Sequence, residues 1–347
     1  SPHYSALCGL QFVRRVAGVS VRHLMKKMNK FKYLIPFFLA ALPLAHGANA
    51  QNYPTRPIRF IVPFQPGAGS DITARTVAGK MGELLGQQVV VDNRPGASGN
   101  IGLEITQRAA PDGYTLVLMS ATVSVSAAVQ KMPFDLVRDF TPVAQMTSQP
   151  YCLTINAGIP AKSARDFIEL IRARPNFYTY GSSGTAGLSH LSGALLATMA
   201  KVNWIHVPYK GDTPALTDLL AGQMHMQIAS GPVYVPHIKA GKVRAVAVTA
   251  SKRYFLFPEL PSIAESYPGF HAIGWNGMIA PAGTPRDIIN RLNRSVASFL
   301  KRPDIQERLR NDGREGISTT PEETAQMLAS EIATWVKVVK VANIRIN

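Results

Sequence analysis

Three stretches of this chain run a short β-branched strand into a glycine- and serine-rich loop and straight on into a helical segment, an order that leaves few folds open. The first is Ile58-Arg59-Phe60-Ile61-Val62, then residues 63–71 (PFQPGAGSD), then a helical stretch over 71–85. The second is Val89-Val90-Val91, residues 93–100 (NRPGASGN) and a helix over 100–109. The third is Tyr178-Thr179-Tyr180, residues 181–190 (GSSGTAGLSH) and a helix over 189–200. Further strand runs occupy 115–119 and 243–249, and 205–207 precedes a helix from about 213 to 221. Short strands alternating with helices predict an α/β architecture with largely parallel sheets. The C-terminal part turns helical: Pro285 opens a segment to Leu300, Pro303 a second, and Pro321 a third running to Val341, each proline at the position where a helix tolerates one.

A loop between a strand end and a helix leaves the first amides of that helix without partners, and glycine lets the backbone come close to a ligand. In the first loop Ser70 or Asp71 is placed to cap the helix. Gly67 and Gly69 after a strand, with Asp92 further on, make two-thirds of a dinucleotide fingerprint, but Ile72 stands where the third glycine belongs. Taken singly, each loop reads about as well as a plain turn. Three with one logic, their helix N-termini converging on one cleft, suit a carboxylate held without a buried Lys or Arg.

Catalytic constellations are missing. No G-x-S-x-G elbow occurs. His190, His206, His225, His237 and His271 stand singly, without zinc-ligand spacing, and read as surface or capping residues. Cys152 lies in an apolar run and reads as a buried, inert thiol. Asp71 at a helix start reads as a cap rather than a general base. The expectation is no catalytic residue, no metal and no cofactor.

The first fifty residues have the composition of an address: seven Lys or Arg and no Asp or Glu. From Met28, a basic start, an apolar run over 33–45 and Ala48-Asn49-Ala50 form the pattern of a secretory signal peptide. The expected organisation is an upstream extension over 1–24, a signal peptide over 25–50, and export to the periplasm. Beyond it stand 30 basic and 21 acidic side chains, spread without runs, which gives nucleic acid binding little support. Cys8 and Cys152 are the only cysteines, so an exported chain carries one thiol and no internal disulfide.

In order along the chain come YPTRPIRFIVPFQPGAGSD, VVVDNRPGASGNIG, PDGYTLVL, YGSSGTAGLSHL, VPYKGDTPALTDLLAGQMHMQIAS, IKAGKVRAVAVTASKR, FPELPSIAE and APAGTP. Together they resemble the extracytoplasmic substrate-binding proteins of tripartite tricarboxylate transporters, the Bug-type family, from residue 53 to about 341. The resemblance implies a two-domain periplasmic-binding-protein (Venus flytrap) architecture with a ligand cleft between the domains. The chain is then expected to cross near 149–150 and 271–275, giving one domain of 51–150 with 275–347 and another of 151–274.

By the same resemblance, Phe64 becomes a wall of the cleft. Gly67, Ala68, Gly69 and Ser70 form a first anion cradle, and Ser182, Ser183, Gly184 and Thr185 a second. The chain departs from the pattern at Ala186-Gly187, where a hydroxyl is expected to touch the ligand, so Ser189 or backbone amides must substitute. Residue 230 is Ser where Asp is one common alternative, which favours a dicarboxylate or other carboxylate over an amino acid. Lys210 is the one candidate for a direct cation, against its reading as a rim lysine or a partner for Asp212. The implied function is a monomeric binding protein that captures a small organic carboxylate and delivers it to membrane permease subunits. A sensor subunit or an enzyme acting on a carboxylate are the alternatives.

Overall fold

The computed structural model describes residues 53–341 together with Ile344; the expected extension and signal peptide over 1–50 lie outside the described residues. The strands are β1 (Ile58–Val62), β2 (Val89–Asn93), β3 (Thr115–Ser120), β4 (Phe140–Asn156), β5 (Thr179–Ser182), β6 (Ile205–Pro208), β7 (Met226–Ser230), β8 (Val243–Val248), β9 (Ile273–Pro281) and the short β10 (Glu315–Gly316). The helices are α1 (Gly69–Leu85), α2 (Asn100–Gln107), α3 (Ala121–Ala127), α4 (Ala164–Ala173), α5 (Leu188–Ala200) and α6 (Asp212–Leu220). They continue with α7 (Gly231–Lys239), α8 (Ile263–Ser266), α9 (Arg286–Leu300), α10 (Pro303–Asn311) and α11 (Pro321–Val341).

The strands join in the order β2-β1-β3-β9-β4-β7-β5-β6, with β8 and β10 also on β4. Parallel pairing holds β1 to β2 and β3, and separately β5 to β6 and β7. The expectation of largely parallel sheets needs correction at the centre, where β9 runs antiparallel to β3 and β4, and β4 antiparallel to β7 and β8. The reason is β4, which pairs with β9 from Phe140 to Pro150 and with β7 and β8 from Tyr151 onward. One long strand thereby ties two parallel groups together, and register shifts along it accommodate the change.

Burial explains why these segments are strands. Ile58, Phe60, Ile61 and Val62 are all fully buried, the near-continuous apolar run expected of a parallel strand covered on both faces. Helix α1 ends where Gly86 takes the left-handed conformation at φ 68° and its amide returns to the Gly82 carbonyl at 3.1 Å. Helix α9 presents Ile288, Ile289, Leu292, Val296 and Phe299 to the core beneath β1 and β3. No described helix is long and apolar enough to cross a membrane.

Candidate functional site

Each parallel strand delivers its carboxyl end to one cavity of about 670 Å³. The residues after β1, β2 and β3 line one side and those after β5 and β6, with Ser230 at the end of β7, the other, while Gln149, Tyr151, Trp275 and Asn276 of β4 and β9 line it from the connecting strands. Ligands of open α/β sheets occupy such crevices beyond strand ends.

The first loop is braced from below. Gly67 turns at φ 80°, a backbone that side chains rarely adopt, and its amide donates to Asp71 Oδ2 at 2.9 Å. Asp71 is buried and also accepts from Arg75 Nε at 3.0 Å and Asn93 Nδ2 at 2.9 Å. Burial raises its carboxyl, but the bonds from Arg75, Gly67 and Asn93 outweigh that and hold it below the usual carboxylate range. The expected cap is corrected here: the N-cap of α1 is Ala68, no side chain caps it, and Asp71 fastens the loop to the helix. Ser70 donates to Asn276 Oδ1 at 3.0 Å, tying the cradle to β9.

The second cradle rests on two histidines. His190 and His206 stack with ring centroids 3.8 Å apart, 3° from parallel. His190 Nδ1 accepts the Ala186 amide at 3.0 Å. His206 Nε2 lies 2.7 Å from Ser182 Oγ, which donates to the Gly184 carbonyl at 3.0 Å. Burial lowers both imidazoles to about 4, with His190 adding to the effect at His206. The reading of every histidine as a surface or capping residue therefore fails at this pair, which was invisible because its members lie on different elements, α5 and β6.

Among the residues expected at the site, Phe64, Ala68, Gly69, Ser70, Ser183, Gly184, Thr185, Lys210 and Ser230 line the cavity. Gly67 and Ser182 stand behind it, the one as a turn and the other as a brace. Ser189 is not brought to the cavity, since its buried hydroxyl donates to the Ile228 carbonyl at 2.6 Å. The missing side chain at 187 has a different explanation: a Cβ there would lie 2.8 Å from Thr122 Cγ2. Thr122, on α3 and in the cavity wall, occupies that space. Lys210 is exposed and makes no ion pair with Asp212 among the described residues. Arg94 turns to Asp92, 3.0 Å from its carboxylate.

Several groups had no signal in the loops. Trp275 lines the cavity and donates from Nε1 to Glu331 Oε2 at 2.8 Å; Ser124 donates to the same carboxyl. Enclosure raises the Glu331 carboxyl to about 7 against the lowering effect of these bonds. Arg314, fully buried, donates to Thr73 Oγ1 at 2.5 Å, and Thr73 to the Gly69 carbonyl at 3.1 Å, so a guanidinium lies behind the first cradle. Asn276 is a polar side chain within the otherwise apolar run of β9, and the structure buries it. The described residues bring no three His, Cys, Asp or Glu side chains together as metal ligands.

Residues 73–344 match the family described as "Tripartite tricarboxylate transporter family receptor". The chain belongs to this family. BugT of Bordetella pertussis is 36% identical over 319 residues, covering 90% of this chain and 97% of the relative. Among solved structures, Rpa4515 of R. palustris with adipate matches with a TM-score of 0.82 at 37% identity, over 84% of this chain and 99% of that one. MatC of Rhodopseudomonas palustris with bound malate matches with a TM-score of 0.78 at 32% identity, over 83% and 100%. The receptor thus has the periplasmic-binding-protein fold with its ligand cleft, and the family is one of solute-binding proteins rather than enzymes.

Proposed function

We propose that this receptor captures a small organic carboxylate in the cavity and delivers it to the permease subunits of a tripartite transporter. One observation carries the reading. Helices α1, α2, α3, α6 and α7 each begin with the N-cap residue in the cavity wall (Ala68, Gly99, Ser120, Gly211, Ser230), and none is capped by a side chain. Unpaired amides and positive dipole ends favour an anion where, among the described residues, Lys210 alone brings a cationic side chain to the wall.

The change of partners along β4 at Pro150–Tyr151 supports a hinge there, with 53–150 and 275–341 as one domain and 151–274 as the other. Closure joins the two rims into the surface a permease reads, so occupancy becomes visible from outside. We place the receptor in the periplasm as a monomer. Calorimetry of protein freed of carried-over ligand, titrated with malate, succinate and adipate, tests the reading. Heat of binding for at least one is expected; a protein that binds no carboxylate in such a panel is not a carboxylate receptor.

A further inference from the structure

Among the described residues the cavity wall contains one acid, Asp212, buried and held by neutral donors alone, with no counter-charge beside it. It opens helix α6, yet no amide of that helix donates to it, so it is not a cap. No Lys, Arg or His lies within ion-pairing distance of it among the described residues. What surrounds it is neutral: Gln227 Nε2 donates to Oδ1 at 3.2 Å, and Tyr234 in turn donates to Gln227 Oε1. The hydroxyls of Ser183 and Ser230 stand beside it and lower its carboxyl, but burial dominates and raises it to about 6. A buried carboxylate without a counter-charge is costly, and one facing a ligand cavity is relieved when the ligand brings the charge.

From this placement we infer that Asp212 receives an ammonium group of the ligand, and that the physiological solute is an amino-carboxylate rather than a simple dicarboxylate. The inference rests on the carboxylate reading above: the uncapped starts of α1, α2 and α3 hold the carboxylate end, and Asp212, at the start of α6 beside Ser230, selects what else the molecule carries. A second ligand carboxylate at the Ser183-Gly184-Thr185 loop would face Asp212 across that loop, like charge against like. The preference for a dicarboxylate drawn from Ser230 overlooks this acid. It stands beside Ser230 but comes from a different element, the start of α6.

The test compares matched probes by calorimetry: succinate with 3-aminopropanoate, adipate with 5-aminopentanoate, and glutarate with 4-aminobutanoate. In the wild type the aminated member of at least one pair is expected to bind about tenfold tighter or more. Asp212→Asn should weaken that member on the order of 10- to 100-fold and leave the dicarboxylates unchanged or tighter. A purely structural role for Asp212 would weaken both members together. Asp212→Ser provides a second variant should the first fold poorly. Dicarboxylates that bind the wild type as well as or better than every aminated partner, or an amino preference that survives both substitutions, overturn the inference while leaving the carboxylate receptor intact. Absence of binding by all six probes instead removes the carboxylate reading and this inference with it.

Discussion

The hydroxyl of Ser98 donates to the Thr185 carbonyl oxygen at 2.7 Å, joining the loop after β2 to the loop after β5 at the mouth of the cavity. Ser126 makes a parallel bond to the Ala186 carbonyl at 3.1 Å. The two parallel strand groups also meet through β4 and β9 and through α3 packed against α5, and of these two hydroxyls Ser98 is the one in the cavity wall, Ser126 being fully buried. Removing one such bond costs about 1 kcal/mol. Ser98→Ala is therefore expected to shift the unliganded protein toward an open form and weaken ligand about 2- to 10-fold. Small-angle scattering and calorimetry check this together; an unchanged radius and affinity would show that the bond plays no part in closure.

The stacked histidines give the second cradle a pH limit. Their folded pKa values are depressed to about 4, so the unfolded chain binds more protons between about 4 and the ordinary value near 6.5. Their contribution to stability is present above that window and lost as pH falls through it. Protonation of His190 Nδ1 also turns the acceptor of the Ala186 amide into a donor. His190→Ala should lower the melting temperature at pH 7 and flatten its decline between about pH 6.5 and 4. Parallel melting curves for wild type and variant across that range would exclude the pair as the titrating group.

Most of the local structure is legible because strand and helix carry their own patterns. The strands at 58–62, 115–119 and 205–207 and the helices opened by Pro303 and Pro321 lie where β-branched runs and helix-start prolines place them. The central strands are another matter. Pro142 and Pro150 interrupt the apolar pattern of β4, and Pro236 lies inside α7, so both segments read locally as broken. What those strands bring to the site follows from pairing across more than a hundred residues, as with Ser148 opposite Trp275. Loop chemistry announces an anion site. It says nothing of Trp275, Asn276, Thr122 or the isolation of Asp212, because tertiary packing alone determines which polar groups find partners.

Glu331 behaves oppositely to the histidines. Its stem on α11 is partly exposed, but its carboxyl is enclosed between Ser124 and Trp275, and its folded pKa is raised to about 7. The folded state then holds a proton that the unfolded chain releases near 4.5. Its contribution to stability is complete below about 4.5 and is lost as pH rises toward 7. Glu331→Gln keeps a carbonyl acceptor for the Trp275 indole without the charge. The variant should match wild type at pH 5 and exceed it at pH 8 by on the order of 1–3 kcal/mol, read by urea denaturation. A variant less stable at both pH values would show that the carboxylate itself is required.

Lys210 tests how the anion is neutralised. It lies in the cavity wall at the strand-to-helix junction after β6, exposed, and without an ion pair to Asp212 among the described residues. An exposed rim charge acts mainly on encounter rate and is screened within about 10 Å at moderate salt. If the uncapped helix starts carry the binding, Lys210→Met should weaken affinity by less than about threefold at low salt, with the association rate taking most of the change. The difference should vanish near about 0.5 M salt, where screening is short-ranged. A desolvated ammonium touching the ligand behaves otherwise: its removal costs roughly 2–5 kcal/mol, is expressed in dissociation, and resists salt. Stopped-flow titration at two salt concentrations separates these outcomes, and a large, salt-insensitive loss would mean that a side-chain cation, rather than backbone amides, holds the carboxylate.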